Sequence, residues 1–425
     1  MNTVILKNGR LIDPANNHDK ENTDLWIQEG LIASSQAVTP DDAITIDLQG
    51  KWIVPGLIDM HVHLREPGEE YKETIASGTR SAAAGGFTAV ACMPNTHPVN
   101  DCATVTRYIL EKSQNCDARV YPVGAISAKS EGKGLADHGE MKEAGAVALS
   151  DDGLPVLDSQ LMRRAMEYSA SYQMPIISHT EELALSRNGC MNEGSTSTQL
   201  GLKGIPNAAE AVMVYRDIAL SELTGVAIHI AHVSTIDSLN LIREAKKRGV
   251  KVTAETAPHY FTLTDSAVTG YDTNAKMSPP LRSDLDKETV IKALVDGTLD
   301  VIATDHAPHS ILEKEVEFSL AANGIIGLET SVPLTLALVH KGIISAGRMI
   351  ELLSVNPAAI LGVTGGSLTI GHPADITVID PDKTFCYTPD KIVSQSANTP
   401  FLNWQLRGKA VLTLLGGRTT YNDLD

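Results

Sequence analysis

The sequence predicts an α/β protein built from a (β/α)8 barrel of the TIM type and a small β-sandwich domain formed by both chain ends. Between about residues 50 and 365, short apolar runs alternate with helix-like segments, as in a parallel sheet. Eight such runs occur, which is the number of strands in a closed barrel. The two flanking regions instead contain short strand-like runs separated by glycine. We therefore expect domain segments at 1–52, 53–366 and 367–425.

The eight predicted barrel strands are short runs rich in Val, Ile, Leu and Ala. In order they are WIVPGLIDMHVH (52–63), FTAVACMPN (87–95), ARVYPVGA (118–125), GAVALSDDG (145–153), MPIISHT (174–180), VAIHIAHVS (226–234), VKVTAETAPHY (250–260) and LDVIATDHAPH (299–309). A doubly wound open sheet is the alternative architecture, but the chain has eight units and lacks a GxGxxG turn.

The segments between these strands carry helix boundary signals. NAAEAVMVYRDIALSELTG opens with Asn207 and has Glu210 three positions later, a pattern typical of a helix start. TIDSLNLIREAKKRG ends in basic residues followed by Gly249, as expected at a helix end. We expect such segments to be the crossover helices of the barrel.

Both ends of the chain are predicted to form one β-domain beside the barrel. The N-terminal flank contains VILKNGRLIDP, DLWIQEGLIAS and AITIDLQG, and the C-terminal flank contains GSLTIGHPADITVID and GKAVLTLLGG. Asn-Gly and single glycines interrupt these runs, as they do between paired strands.

Composition excludes several classes of function. The 425-residue chain has 43% hydrophobic and 20% charged residues and a net charge of −17, which disfavours binding to nucleic acid or to anionic membranes. No apolar run approaches the roughly 20 residues of a membrane span, and the N-terminus lacks a signal-peptide pattern, so we expect a cytoplasmic protein. The five cysteines contain no CxxC pair, so neither a thiolate metal site nor a disulfide framework is indicated.

Polar residues collect at the carboxyl ends of the predicted strands, where barrel active sites lie. His61 and His63 are two apart, so in a strand both imidazoles point to the same side, with Arg65 next in line. Further candidates follow later strands: Asp151 and Asp152, His179, His232 and Asp305. His229 precedes His232 by three positions, which reverses strand parity, so we expect it to face the helices.

This set of side chains is typical of a metal centre. Imidazole nitrogen and carboxylate oxygen, without sulfur, suit Zn²⁺ or another borderline divalent ion. Four histidines and two carboxylates are too many for one tetrahedral ion, so we expect two ions bridged by a carboxylate. Strand parity does not decide whether Asp151 or Asp152 is the bridge.

At this point the chain resembles a known family. The histidine pair after strand 1, single histidines after strands 5 and 6, the aspartate after strand 8 and the GHPADITVID signature are similar to the amidohydrolase superfamily. Within it, DMHVHLREPG, MPNTHPV, SDDG, GLKGIP, KMSPPLR, ATDHAPH, NGIIGLET and NTPF resemble class I dihydroorotases from end to end.

The resemblance implies a role for each candidate. It makes His61, His63 and Asp305 ligands of one zinc ion and His179 and His232 ligands of a second, and its spacing selects Asp152 as the bridge. Whether each site binds one ion or two is left open. Asp305 is also implied to be the catalytic base. The implied substrate contacts are Arg65, Asn95, Ser278, His309 and the backbone around Asn323 and Gly324. Ser278 departs from the many relatives with Asn there.

The implied reaction is the reversible, zinc-dependent hydrolysis of the cyclic amide of (S)-dihydroorotate to N-carbamoyl-L-aspartate, in pyrimidine biosynthesis. Arg65 offers a planar fork for the carboxylate of this small anionic substrate. Hydantoinase, dihydropyrimidinase and allantoinase are alternatives, but they bridge their metals with a carboxylated lysine, and GAVALSDDG contains no lysine. A non-catalytic scaffold subunit is another. We expect the chain to form a homodimer and to associate with aspartate transcarbamoylase. Whether the segment 306–326 closes over the site as a lid is left open.

Overall fold

The computed structural model describes residues 3–35 and 43–424. The N-terminal flank forms five strands that precede the barrel: β1 (Val4–Asp13), β2 (His18–Gln28), β3 (Leu31–Ala33), β4 (Ile44–Asp47) and β5 (Trp52–Pro55). The predicted run 52–63 is thus divided in two, because Trp52–Pro55 pairs with β1 and the chain turns into the barrel only after Gly56.

Eight parallel strands form the barrel, at the positions that the apolar runs predict. They are β6 (Leu57–Val62), β7 (Phe87–Cys92), β8 (Arg119–Gly124), β9 (Ala148–Leu149) and β10 (Ile176–Ser178), then, after the small pair β11 (Met191–Asn192) and β12 (Gly204–Ile205), β13 (Ile228–Ile230), β14 (Val252–Thr256) and β15 (Val301–Ile302). They are hydrogen-bonded in chain order from β6 to β15. The ring closes beyond β15, where His63 N donates to His306 O over 2.8 Å.

The C-terminal flank adds β16 (Ile376–Cys386), β17 (Gln405–Leu415) and β18 (Arg418–Asn422) to the N-terminal strands. The junction is the antiparallel pairing of β16 with β5, where Ile376 lies opposite Pro55. The two chain ends therefore share one mixed sheet with its own apolar core, as predicted for the β-domain. The domain boundaries themselves stay a prediction.

Helices cross over between the barrel strands and cover the outside of the barrel. They are α1 (Ile75–Ala84), α2 (Ala103–Lys112), α3 (His138–Ala144), α4 (Ser159–Ala170), α5 (Leu183–Ser186), α6 (Ser195–Leu200), α7 (Ala208–Thr224), α8 (Ile236–Lys247), α9 (Pro258–Thr262), α10 (Asp284–Asp296), α11 (Ile311–Lys314), α12 (Ser331–His340), α13 (Ala346–Ile350) and α14 (Asn356–Leu361). Over the described ranges, none of these helices combines the length and the apolar character that crossing a membrane requires.

The inside of the barrel is packed with small or compact apolar side chains. Ile58, Met60, Ala89, Ala91 and Ile177 belong to one buried cluster at its centre. Alternate residues on the same strands, such as Ile176 and Ile228, face outwards into the layer beneath the helices. This filled interior leaves the carboxyl ends of the strands as the place for an open site.

Candidate active site and metal centre

Asp152 lies between two groups of histidines at the mouth of the barrel. Its carboxylate oxygens lie 3.3 Å from His61 Nε2 and 3.4 Å from His63 Nε2. On the other side, its Oδ1 is 3.5 Å from both His179 Nδ1 and His232 Nε2. One carboxylate is therefore within reach of all four imidazoles, an arrangement that could hold two ions with Asp152 between them.

Asp305 completes the first of these groups. Its Oδ1 is 3.1 Å from His63 Nε2 and 3.6 Å from His61 Nε2. The structure thus brings all six predicted metal ligands to one place, although they come from five different strand ends.

The neighbouring Asp151 is turned away from this centre. It accepts hydrogen bonds from the backbone N–H groups of Ile126 and Ser127 and from the Ser127 hydroxyl. Since these bonds occupy both of its oxygens, Asp151 ties the loop after β8 to the loop after β9. The geometry distinguishes the two aspartates, which strand parity alone does not.

Buried atoms without partners show that this donor set fits a divalent ion. His61 Nε2 and Asp152 Oδ1 are inaccessible to solvent and have no hydrogen bond among the described residues. A buried polar atom that makes no hydrogen bond is costly, so its presence needs an explanation. Nitrogen and oxygen donors directed at one small space are what Zn²⁺ and similar ions require.

Each of three histidines is oriented by a second polar group. His61 Nδ1 lies 2.6 Å from Glu255 Oε1, and His63 Nδ1 lies 2.9 Å from Asn95 Oδ1. His179 Nε2 lies 3.1 Å from Glu181 Oε2. Because these oxygens can only accept, the histidines carry a proton on that side, and in a neutral ring the other nitrogen is the one with the lone pair that a metal needs.

Glu255 and Glu181 were missed by the sequence reasoning. A glutamate in the middle of the predicted buried strand VKVTAETAPHY is a detectable signal, since a charge in a buried strand needs a partner. Glu181 follows His179 by two positions, the same spacing as the His61–His63 pair. Neither signal by itself says which histidine is contacted.

Electrostatics keep the carboxylates of the site ionised. Burial alone would raise the pKa of Asp152, but the imidazoles of His61, His179 and His232 outweigh it and hold that pKa well below its usual range. Burial also opposes ionisation of Glu181, yet its hydrogen bond with His179 lowers the pKa to about 2. Ionised carboxylates are the forms that bind cations.

A cavity of about 280 Å³ opens above the six ligands. Every predicted site residue except His61, which lies buried beneath, lines it: His63, Arg65, Asn95, Asp152, His179, His232, Ser278, Asp305, His309, Asn323 and Gly324. The predicted substrate contacts therefore face the same space as the predicted metal ligands. Its size suits a small molecule.

Arg65 is a wall of this cavity and not a surface ion-pair residue. It is only 8% exposed, and its Nε donates to Pro308 O over 3.1 Å. Its Nη2 lies 3.3 Å from His309 Nε2, and its nearest carboxylate, on Glu69, is 3.9 Å away. Part of its hydrogen-bonding capacity is thus left for a ligand.

The loop that carries Asn323 and Gly324 is held by buried lysines. Lys314 Nζ donates to the carbonyl oxygens of Ala322 and Gly324, and Lys276 Nζ donates to those of Ser319 and Ala321. His309 Nε2 also lies 2.8 Å from Asn323 O. These contacts fix the backbone of one cavity wall.

The expectation that His229 faces the helices is wrong. His229 is level with Ile177 and Thr253 across the sheet, on the side of the strands that faces the barrel interior. Both His229 and His232 can face inwards because His232 has a φ of 35°, which breaks strand alternation. Arg65 and Asp305 also have positive φ, an uncommon backbone state for residues other than glycine.

Comparison with known proteins agrees with this geometry. A family model described as dihydro-orotase-like matches residues 50–238. The chain is 62% identical over 418 residues to the dihydroorotase of Desulfotalea psychrophila, covering 98% of this chain and 99% of that protein. It is 56% identical over 424 residues to the dihydroorotase of Syntrophus aciditrophicus, covering 99% of each.

Solved structures share the fold. An L-hydantoinase (dihydropyrimidinase) from Arthrobacter aurescens superposes with a TM-score of 0.89 at 24% sequence identity, covering 100% of this chain and 97% of that one. A dihydropyrimidinase from Brevibacillus agri superposes with a TM-score of 0.86 at 22% identity, covering 100% of this chain and 96% of that one. The barrel and the mixed sheet are therefore a shared architecture.

Proposed function

The chain belongs to the dihydroorotase family, and from this membership we propose how its residues divide the work of the reaction. It is a dihydroorotase, a metal-dependent cyclic amidohydrolase that interconverts (S)-dihydroorotate and N-carbamoyl-L-aspartate in pyrimidine biosynthesis. The chemical task is to open or close one amide bond in a small anionic ring.

The metal we propose is zinc, with two ions per chain. His61, His63 and Asp305 would hold one ion, His179 and His232 would hold the other, and Asp152 would be a ligand shared by the two groups. The observation that carries this proposal is the position of the Asp152 carboxylate, within 3.5 Å of a nitrogen on each of the four histidines. When bound, such ions acidify water and polarise an amide carbonyl.

Asp305 is the proposed general base and acid. It faces the cavity, and its Oδ1 is held 3.1 Å from His63 Nε2. Burial alone would raise the pKa of Asp305, but the nearby His61 and His63 lower it, so the carboxylate is ionised at neutral pH. It takes a proton from the attacking water and returns it to the ring nitrogen as the amide bond breaks.

Arg65 and its neighbours hold the substrate carboxylate. The guanidinium is fixed by Pro308 O, so its remaining N–H groups are directed in advance at the cavity. Asn95 accepts from His63 through its Oδ1, which leaves its amide N–H groups free to donate. Ser278, His309 and the backbone of Asn323 and Gly324 complete the contacts around the ring.

Substrate selectivity and single-residue variants test this assignment together. Purified protein is assayed with dihydroorotate, hydantoin, dihydrouracil and allantoin, and its zinc content is measured. We expect turnover of dihydroorotate, with stoichiometric zinc, and loss of turnover in His61→Ala and Asp305→Ala with an unchanged circular dichroism spectrum. Preference for hydantoin or allantoin would assign a different substrate, and absence of stoichiometric zinc would support a scaffold role.

The proposed compartment and partners of the enzyme also rest on its family membership. We propose a cytoplasmic homodimer able to associate with aspartate transcarbamoylase. All five cysteines are free thiols, as in a reducing compartment. Val212, Tyr215 and Leu223 form an exposed apolar face on α7 that a second copy could cover. Sedimentation of the protein alone and mixed with the transcarbamoylase tests both associations.

A further inference from the structure

A buried chain of hydrogen-bonding groups runs through the barrel interior below the cavity. His61 Nδ1 lies 2.6 Å from one oxygen of Glu255, and His229 Nε2 lies 3.2 Å from the other. His229 Nδ1 in turn lies 2.8 Å from the hydroxyl of Thr253. The chain thus links β6, β13 and β14.

Glu255 is an unusual residue for this position. It is 1% exposed, as is His229, and His61 is not exposed at all. The other side chains around the barrel axis are compact apolar groups such as Ile58 and Ile177. Burying a carboxylate there is costly unless every oxygen is paired, and here each oxygen has one imidazole partner.

The donors and acceptors of this chain fix one tautomer of His61. An ionised carboxylate only accepts, so both His61 Nδ1 and His229 Nε2 must carry the proton. His229 Nδ1 then accepts from the Thr253 hydroxyl. In the neutral imidazole, which is the form that binds a metal, His61 Nε2 is then the unprotonated nitrogen, and it is directed at Asp152, where it has no hydrogen bond.

We propose that Glu255, held in place by His229, is a positioning residue that presents His61 Nε2 to the metal centre. The inference rests on the proposed function, since it takes His61 to be a metal ligand. Glu255 lies beneath His61 and not on the cavity wall, so it acts only through the imidazole. An outer carboxylate of this kind raises ligand basicity and fixes ring orientation, and its loss weakens metal binding about 10- to 100-fold.

Two substitutions of Glu255 separate charge from shape. Glu255→Gln keeps the size and one acceptor oxygen for His61, provided that His229 changes tautomer to accept from the new amide. Glu255→Leu removes the acceptor altogether and leaves the His61 ring free to rotate. We expect the metal dissociation constant to rise about tenfold for Glu255→Gln and more for Glu255→Leu.

The control is Glu329→Gln. Glu329 is also a largely enclosed carboxylate, but it accepts from the backbone N–H groups of Val393 and Ser394 and lies outside the metal centre. The Glu329→Gln substitution should lower thermal stability with no change in metal affinity. This comparison separates a positioning role from the general effect of removing a buried charge.

The measurements are zinc affinity, by competition with a chromophoric chelator, and the melting temperature with and without zinc. We expect the zinc-induced rise in melting temperature to shrink in both Glu255 variants, because stabilisation by a bound ion depends on its affinity. Wild-type zinc affinity in Glu255→Gln would overturn the proposal, even if Glu255→Leu does not fold. Retained zinc and activity in His61→Ala would instead refute the proposed function, and the inference with it.

Discussion

Asp151 and Asp152 are adjacent in the sequence, but their carboxylates lie in different surroundings. Asp151 accepts from two backbone N–H groups and a hydroxyl, and burial raises its pKa to about 6. Asp152 faces four imidazoles, which hold its pKa low in spite of its burial. The Asp151 carboxylate therefore stabilises the loops, and the Asp152 carboxylate faces the four histidines.

The two aspartates give a matched pair of variants. Asp152→Asn is expected to abolish turnover and to reduce bound zinc, because the charge shared by both groups of histidines is lost. Asp151→Asn should retain zinc but lower the melting temperature, since the amide keeps one acceptor for the backbone N–H groups of Ile126 and Ser127 but loses the oxygen that accepts from the Ser127 hydroxyl. Metal content and melting temperature of both variants check this, and zinc loss in Asp151→Asn alone would reverse the assignment.

Arg65 gives a prediction about substrate binding. Arg65→Met should raise KM for dihydroorotate about tenfold or more, since a hydrogen bond to a charged group contributes about 1.5–3 kcal/mol. Arg65→Lys keeps the charge but loses the planar fork, so an intermediate KM is expected. Steady-state kinetics decide, and an unchanged KM in Arg65→Met would remove Arg65 from the carboxylate site.

Single residues also show where sequence reasoning succeeds and fails. The pair His61 and His63 was predictable because strand geometry places alternate residues on one side. His229 was misjudged because the positive φ at His232 is not visible in the sequence. Glu255 was missed because its partners come from distant strands.

At the scale of elements, the start of helix α7 was predicted correctly, but the capping contacts expected there do not form. It begins at Ala208 as the Asn207 signal predicts, but neither side chain of the expected capping box bonds to the first turn of the helix. Glu210 instead accepts from the backbone N–H groups of Ser234 and Thr235, at the start of the next crossover. A tertiary contact has replaced a local one.

The segment 306–326 is another element whose behaviour depends on tertiary contacts. Lys72 Nζ lies 2.9 Å from Glu313 Oε1, which ties α11 to the loop after β6. Tyr71 donates to the same carboxylate over 3.3 Å. Together with Lys276 and Lys314, this contact holds the segment against the cavity wall.

The ion pair predicts a pH dependence. Burial opposes ionisation of Glu313, but Lys72 and Ser310 lower its pKa from 4.5 to about 2. A carboxyl whose pKa falls on folding adds stability above its unfolded value, near pH 4.5, and that stability is lost as the pH drops towards 2. Glu313→Gln should therefore melt below wild type at pH 7, with a difference that shrinks below about pH 4.5.

Melting temperatures of wild type and Glu313→Gln between pH 7 and pH 3 test this dependence. Glu315→Gln is the control, because Glu315 is exposed on the same segment and its side chain forms no ion pair within the described ranges. A difference for Glu313→Gln that stays constant with pH would contradict the account.

At the scale of the whole molecule, the barrel and the mixed sheet follow from different patterns. Eight apolar runs with helical connections predict the barrel. The joining of both chain ends was predictable because both contain short strand-like runs broken by glycine. The pairing of β5 with β16, however, depends on contacts between residues over 300 positions apart. Hence Trp52–Pro55 was placed in the barrel although it belongs to the sheet.

The same long-range assembly creates the active site. Its ligands come from the end of β6 and the residue that follows it, and from the loops after β9, β10, β13 and β15, so no local segment contains the site. The sequence predicts which residues lie at the strand ends, and barrel closure brings them together. The orientation of each ring then depends on outer partners such as Glu255 and Asn95.

Anomalous diffraction at the zinc edge, from crystals grown with zinc and dihydroorotate, tests the central claim most directly. The account predicts two peaks on either side of the Asp152 carboxylate, one beside His61 and His63 and one beside His179 and His232. The substrate carboxylate should contact Arg65. Zinc bound elsewhere, with no peak next to Asp152, would contradict it.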